Sequence, residues 1–401
     1  MTDDPLHDRN SMPLPAVARR TARTASRTTR TATRSAALLS SMTVLLAGLV
    51  GATGTAVAAD TATTADTAGA TESATATVHR GSTTPGLTAE ESDWRVTLAE
   101  HPEVEEVWTH SPSMNRDIPL LVRPASSPDA PTLYLLNGVD GGKERNQWFG
   151  KGGAVEFFAD KNVNVVMPVD GRNSYYSDWY SASTLDRADR GGQTQKWATY
   201  LAEELPGPLE DALDANGVRA VLGMSMSATS ALQLVEDNPG FYSAAAGISG
   251  CYDTTSDDGR RMVDTVVGND DSGATAEQLW GPADGDYARA HNPALHLDRL
   301  SSQVQGSEIP LYFSAASGVP TTEEAVGVAT MTDPAELLVS AVVGPGLEVG
   351  ARGCTVDLQR SLSAAGVPAR FHYAPAGLHS WHYFSLALPG AWPTLARGLG
   401  V

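Results

Sequence analysis

Short apolar runs of strand length alternate along this chain with stretches of helical period, and that alternation confines it to an α/β fold with a largely parallel sheet. Two strands are expected over Glu105–Ser111 and residues 119–123, parted by a turn-rich segment at 112–116. Residues 132–136 read as a buried strand ending at the turn signal Asn137-Gly138, and residues 164–167 as another that Pro168 stops. Trp197, Leu201 and Leu205 stand four apart, which predicts a helix within residues 193–213. Residues 218–222 are again strand-like and run into Gly223-Met-Ser-Met-Ser227, followed by a helical pattern to Val235. Apolar runs at 241–249, 309–315 and 369–373 complete the strands, with a long helical stretch over 333–364. There is no internal repeat and no second apolar core, so residues 87–401 are expected to form one domain.

The segment ahead of that domain has a different character. Seven arginines and no acid lie between Arg9 and Arg34, an apolar run follows over 36–50, and Ala56-Val57-Ala58 offers a cleavage site. Residues 1–58 therefore read as a secretory signal peptide, an uncleaved membrane anchor being the alternative. Residues 59–86 are almost all Thr, Ala, Asp, Glu, Ser and Gly, too poor in large apolar side chains to offset the entropy of ordering. They are expected to be a disordered linker. A formal charge of −19 repels nucleic acid and anionic lipid, so neither is an expected partner. The leader carries seven Arg and three Asp, so its removal leaves the exported part more acidic still. No stable membrane span is expected after signal removal, and the location implied is secreted or cell-envelope associated.

Candidate chemistry centres on Ser225. Gly223-Met-Ser225-Met-Ser227 is a G-x-S-x-S variant of the nucleophile elbow, set between a predicted strand and a predicted helix. Such a turn raises the serine hydroxyl above the sheet and aims the free N–H groups of the next helix at the same point. A serine nucleophile needs a base and an orienting acid, which in this fold follow in the order acid, then histidine. His291, His296, His372, His379 and His382 come after Ser225. His379 lies where a loop follows the last strand, with His382 its close competitor, and the acids to weigh are Glu348 and Asp357. His291 and His296, five apart with no carboxylate pattern, make a poor metal pair, and neither metal nor cofactor is expected. Two cysteines are too few for a cysteine-ligated zinc site. In an exported chain a bridge between Cys251 and Cys354 is the economical reading, with two separate buried thiols as the alternative.

Several elements resemble the antigen 85 mycolyltransferases. They are Leu135-Leu136-Asn137-Gly138-Val139, Val166-Met-Pro-Val169, Tyr176-Ser-Asp-Trp-Tyr180, Glu204-Leu-Pro-Gly207, Gly223-Met-Ser-Met226, Leu279-Trp-Gly-Pro282, Leu347-Glu348 and His379-Ser-Trp381. They run in order over nearly all of residues 130–390. The resemblance implies a single-domain α/β-hydrolase fold, a mostly parallel sheet flanked by helices. It also implies transfer of mycolyl groups between trehalose mycolates, or related glycolipids, and cell-envelope acceptors. It points to Ser225, Glu348 and His379 as the triad, preferring Glu348 over Asp357, and to the N–H groups of Val139 and Met226 as oxyanion donors. Asp253, Arg352, Ser380 and Trp381 fall where that family contacts sugar or substrate.

The chain departs from the family in two places. Asn137 and Asp140 stand where the family has an acidic residue and an arginine beside the oxyanion loop, so the sugar site is expected to differ. The family's short disulfide is missing, because residues 181–194 contain no cysteine. A bridge between Cys251 and Cys354 would instead pin the helix bearing Glu348 to the sheet. Two other functions fit the same elements: a secreted carboxylesterase using the triad, and a non-catalytic surface or matrix-binding protein on the same scaffold.

Overall fold

The computed structural model describes residues 74–183, 185, 194–269, 273–301 and 308–401. The expected signal peptide at 1–58, the linker up to residue 73, and the first residue of the 193–213 helical stretch lie outside them. Among the described residues nine strands form one sheet: β1 (Thr77–Arg80), β2 (Glu105–Ser111), β3 (Arg116–Arg123), β4 (Ala130–Leu136), β5 (Asn164–Pro168), β6 (Ala215–Met224), β7 (Ala244–Ile248), β8 (Leu311–Ala315) and β9 (Arg370–Tyr373). Their spatial order is β1-β2-β3-β5-β4-β6-β7-β8-β9. The pairings β1–β2, β2–β3 and β3–β5 are antiparallel, and the five from β5 through β9 are parallel. This is the α/β-hydrolase architecture expected above.

The helices that bear on the site are α1 (Pro206–Ala212), α2 (Met226–Asp237), α3 (Asp257–Val267), α4 (Thr322–Thr330), α5 (Gly344–Ala365) and α6 (Trp381–Leu399). Strands β4, β5, β7 and β8 are buried along their whole length. Covered on both faces, they read in sequence as unbroken apolar runs rather than alternations. On one face Leu209 of α1 and Leu232 and Val235 of α2 share a core with Tyr134, Leu136 and Val221. On the other, Ala387, Leu388, Ala391 and Leu395 of α6 pack with Leu222, Ala246 and Ile248.

Helices α3 and α4 lie in stretches for which no element was expected, and two further elements run against the pattern read in the sequence. Strand β1 falls inside the stretch expected to be a linker, so the fold starts before residue 87. Its side chains are poor in apolar surface, yet the open edge of β2 supplies backbone partners from Val107 to His110. Around it, His79 stacks on Trp108 at 3.8 Å, Ala76 N–H donates to the Glu204 carbonyl, and Thr84 bonds to Glu106. Helix α6 has no counterpart among the expected elements. It carries Pro389 and Pro393, each of which removes a helical N–H and crowds a carbonyl, at roughly 3 kcal/mol apiece in an isolated helix. Burial of its long apolar face against the sheet outweighs that local penalty.

Candidate active site

Strand β6 ends at Met224 and α2 begins at Met226, leaving Ser225 alone on the turn with φ 55° and ψ −120°. A Cβ on Gly223 would lie 1.9 Å from the Ser227 carbonyl oxygen, so only glycine lets the strand pass beneath the helix. Ser227, the residue that breaks the usual glycine pattern, is buried and employed. Its hydroxyl accepts from Met224 N–H at 2.9 Å and donates to the Leu136 carbonyl at 3.0 Å, tying the ends of β6 and β4 together. Ser225 N–H donates to the Ile248 carbonyl at 2.8 Å, carrying the β6–β7 pairing up to the turn itself.

Three side chains from distant parts of the chain meet there. His379, in the loop between β9 and α6, has Nε2 at 2.8 Å from Ser225 Oγ and Nδ1 at 2.8 Å from Glu348 Oε2. Glu348, on the first turns of α5, is completely buried. Its second oxygen accepts from Ser249 Oγ at 2.8 Å and from Ala316 N–H at 2.6 Å. Ser249 and Ala316 follow β7 and β8, so the acid is held by the carboxyl ends of two parallel strands, where α/β sheets place their sites. With Nδ1–H given to the carboxylate, the imidazole turns its free lone pair at Nε2 toward the serine hydroxyl. The other candidates lie elsewhere: Asp357 is paired with Arg360 at 2.7 Å on exposed surface. His382 has a buried Nε2 with no hydrogen-bond partner among the described residues. His291 and His296 meet the carbonyls of Tyr287 and Arg289, and among the described residues no cluster of His, Cys, Asp and Glu is placed to hold a metal.

The loop after β4 closes over this relay. A Cβ on Gly138 would come within 3.8 Å of Ser225 Cβ, so the 137–140 backbone lies against the serine. Asn173 N–H donates to the Val139 carbonyl at 2.9 Å, and Gly141 N–H to the Gly138 carbonyl at 3.1 Å, which fixes the loop's path. The N–H of Met226 opens α2, and that of Val139 sits in this loop. Neither has a hydrogen-bond partner among the described residues. Asp140 is half-buried, and burial pushes its carboxyl up to about 6 against the opposing pull of its own N–H, that of Gly142, and Arg172.

The remaining residues expected to touch substrate have other partners. Asn137 is fully buried, with its amide on the Pro168 carbonyl at 2.8 Å, so it braces the loop from below. Asp253 accepts from Asn292 Nδ2 at 2.8 Å ahead of α3. Arg352 lies over the Tyr373 ring at 4.9 Å and donates to the Ala374 carbonyl at 3.3 Å. Ser380 caps α6 and donates to Glu324 at 2.6 Å, and Trp381 packs edge-on against Trp148 and Phe384. Glu324 escaped the sequence reading. The capping box from Thr321 to Glu324 marks a helix start, but nothing local announces its reach to residues 378 and 380. Cys251 and Cys354 are joined in a disulfide, their Cα atoms 4.8 Å apart. The Cys251 carbonyl also accepts from Thr229 of α2 at 2.7 Å, so the bridge stands between the helix of Glu348 and the helix of the nucleophile elbow.

An elbow serine after a parallel strand, within hydrogen-bond reach of an imidazole from a later loop that in turn meets a carboxylate from a later helix, is the arrangement of an α/β-hydrolase of the serine esterase type. The chain belongs to the esterase family, whose model, described as "Putative esterase", matches residues 111–395. Within it the chain belongs with the Ag85 proteins. It is 30% identical to the diacylglycerol acyltransferase/mycolyltransferase Ag85A of Mycobacterium tuberculosis (strain ATCC 25618 / H37Rv) over 299 residues, 74% of this chain and 82% of that one. It is likewise 30% identical to the diacylglycerol acyltransferase/mycolyltransferase Ag85B of Mycobacterium avium over 302 residues, 74% and 84% of the two chains. Among solved structures, Mycobacterium tuberculosis MPT51 (FbpC1) shares the fold with a TM-score of 0.57 at 21% identity, covering 72% of this chain and 96% of that one. An S-formylglutathione hydrolase from Agrobacterium tumefaciens does so with a TM-score of 0.51 at 12% identity, over 74% and 96%.

Proposed function

We propose that this chain is an exported acyltransferase that moves mycolyl groups from trehalose esters to cell-envelope acceptors through an acyl-enzyme on Ser225. The observation that carries the reading is the unbroken relay from Ser225 Oγ through His379 to Glu348, each contact 2.8 Å long. His379 Nε2 takes the hydroxyl proton as Ser225 Oγ attacks the donor's ester carbonyl. The oxyanion that forms sits before the N–H groups of Val139 and Met226, donors typically worth about 3 kcal/mol each. The carbon–oxygen bond to trehalose then breaks, and Nε2 returns the proton to the departing sugar oxygen. An acceptor hydroxyl next gives its proton to Nε2 and attacks the Ser225 ester; the bond to Ser225 Oγ breaks, Nε2 returns the proton to that oxygen, and the acceptor leaves carrying the acyl group. Glu348 orients the ring through Nδ1 and stabilises the imidazolium.

Export is supported by the disulfide, since such bonds persist in oxidising compartments. Among the described residues no helix is long and apolar enough to cross a membrane. At the acceptor side Asp140 brings a carboxylate, which receives hydrogen bonds from sugar hydroxyls but donates none while ionised. Incubation with trehalose monomycolate, followed by lipid analysis, tests the reading. Dimycolate, or another mycolylated acceptor, is the expected product. Free mycolate alone would make the chain a hydrolase, and no turnover together with a Ser225 that resists a fluorophosphonate would leave only a binding role.

A further inference from the structure

The loop that carries His379 is sewn to the segment after β8, and one buried carboxylate makes the stitches nearest the imidazole. Upstream, Ser317 Oγ donates to the Pro375 carbonyl at 2.7 Å, Gly377 N–H to the Val319 carbonyl at 2.6 Å, and Gly318 N–H to the Gly377 carbonyl at 3.0 Å. The backbone N–H of His379 reaches only the Gly344 carbonyl, at 3.3 Å. Its two neighbours both turn to Glu324. Leu378 N–H lies 3.1 and 3.2 Å from the two carboxylate oxygens, and Ser380 Oγ donates to Oε1 at 2.6 Å. Glu324 is only 8% exposed, and its Oε2 also accepts from Thr321 N–H at 2.9 Å, closing the capping box of α4.

Resting on the acyl-enzyme reading above, we propose that Glu324 is the positioning residue for the base. It clamps the residues on either side of His379 and thereby fixes the imidazole between Ser225 and Glu348. A helix cap needs only the bonds to Thr321, and the donors from 378 and 380 are additional to that duty. A charged acceptor holds such donors more tightly than a neutral one. Near-attack geometry is sensitive to displacements of about 1 Å, so the clamp acts on turnover more than on substrate affinity. Glu324 does not touch the reacting atoms, and its effect passes through the backbone at 378 and the side chain at 380.

The cap and the clamp are separable by substitution. Thr321→Ala removes the cap's hydroxyl and leaves Leu378 and Ser380 with their acceptor. Glu324→Ala removes both functions, and Glu324→Gln keeps a neutral acceptor for the two loop donors. Each variant of the full exported chain is titrated with a fluorophosphonate, and kcat and KM are measured on a 4-nitrophenyl ester beside a melting curve. Glu324→Ala is expected to lose about 10- to 100-fold in phosphonylation rate and in kcat, at unchanged KM. Thr321→Ala should stay within about twofold of the parent at a similar loss of melting temperature, and Glu324→Gln should recover most of the rate. Equal rates for Glu324→Ala and Thr321→Ala would overturn the clamp, as would a defect confined to KM. A parent chain inert to the phosphonate would strike the acyl-enzyme reading instead.

Discussion

Removal of the disulfide separates two duties that the structure lets one bond perform. Cys251 and Cys354 are 103 residues apart in sequence, and the loop they close takes in β8, α4 and Glu348. In the chain-entropy account, opening a loop of that length frees the unfolded state by about 4.7 kcal/mol, and measured losses are commonly about 2–4 kcal/mol. Spread over a domain this large, at roughly 2 °C per kcal/mol, the Cys251→Ser/Cys354→Ser variant should melt about 4–9 °C lower. The site should suffer less. Glu348 keeps its bonds to Ser249, Ala316 and His379, none of which passes through sulfur. Fluorophosphonate labelling at 25 °C is therefore expected within about threefold of the parent, since one severed tether leaves the local network intact. Melting followed by near-ultraviolet circular dichroism, run beside labelling on the same samples, reads both quantities. An unchanged melting temperature would refute the entropic argument. A tenfold fall in labelling with an intact melt would show that the bridge, rather than the strand ends, positions the acid.

Three further outcomes follow from the site. Glu348→Gln should cut the rate of Ser225 phosphonylation by about 10³–10⁴, because the amide no longer enforces the Nδ1–H tautomer; a loss under tenfold would remove Glu348 from the relay. Ser225 is held at positive φ, a strain of about 1–3 kcal/mol that glycine relieves at a backbone-entropy cost of about 0.5–1 kcal/mol. Ser225→Gly should therefore unfold about 1 kcal/mol harder than Ser225→Ala in denaturant, and a reversed order would contradict the strained elbow. Burial raises the Asp140 carboxyl from its ordinary 3.8 to about 6, so the folded state holds a proton that the unfolded chain releases. Stability is thus lost as pH rises from about 4 to 6, and Asp140→Asn should match the parent at pH 3.5 yet exceed it at pH 7. Melting curves at the two pH values test the sign; an equal difference at both would refute it.

Helices α5 and α6 show opposite relations between local pattern and final structure. The 333–364 helical pattern is realised mainly in α5, which runs from Gly344 to Ala365 with a π-type turn at Val339–Val343 just ahead of it. In α6 the prolines argue against helix, and only packing on the apolar layer beneath it overrides them. The misread linker around β1 has a related cause. A polar tetrapeptide carries no signal of its own, and its strand exists because β2 offers an unpaired edge.

The chain's own order of residues was enough to decide the α/β alternation and the elbow at Ser225, and it offered a short set of acids and histidines after that serine. Those features depend on neighbours in the chain: apolar period, a glycine that admits a tight turn, a serine between strand and helix. Resemblance of short elements then pointed to Glu348 and His379. Tertiary structure alone decided how Glu348 is held, that Asn137 is buried against the Pro168 carbonyl, and that Glu324 meets the residues on either side of His379. Each of these is a hydrogen bond between groups tens of residues apart, whose partners become neighbours only when strand ends line up at one end of the sheet, β4 beside β5 for Asn137 and β7, β8 and β9 for the two glutamates. Local sequence carries no record of such a meeting, because the free energy that rewards it arises only after the sheet has closed and water has been excluded.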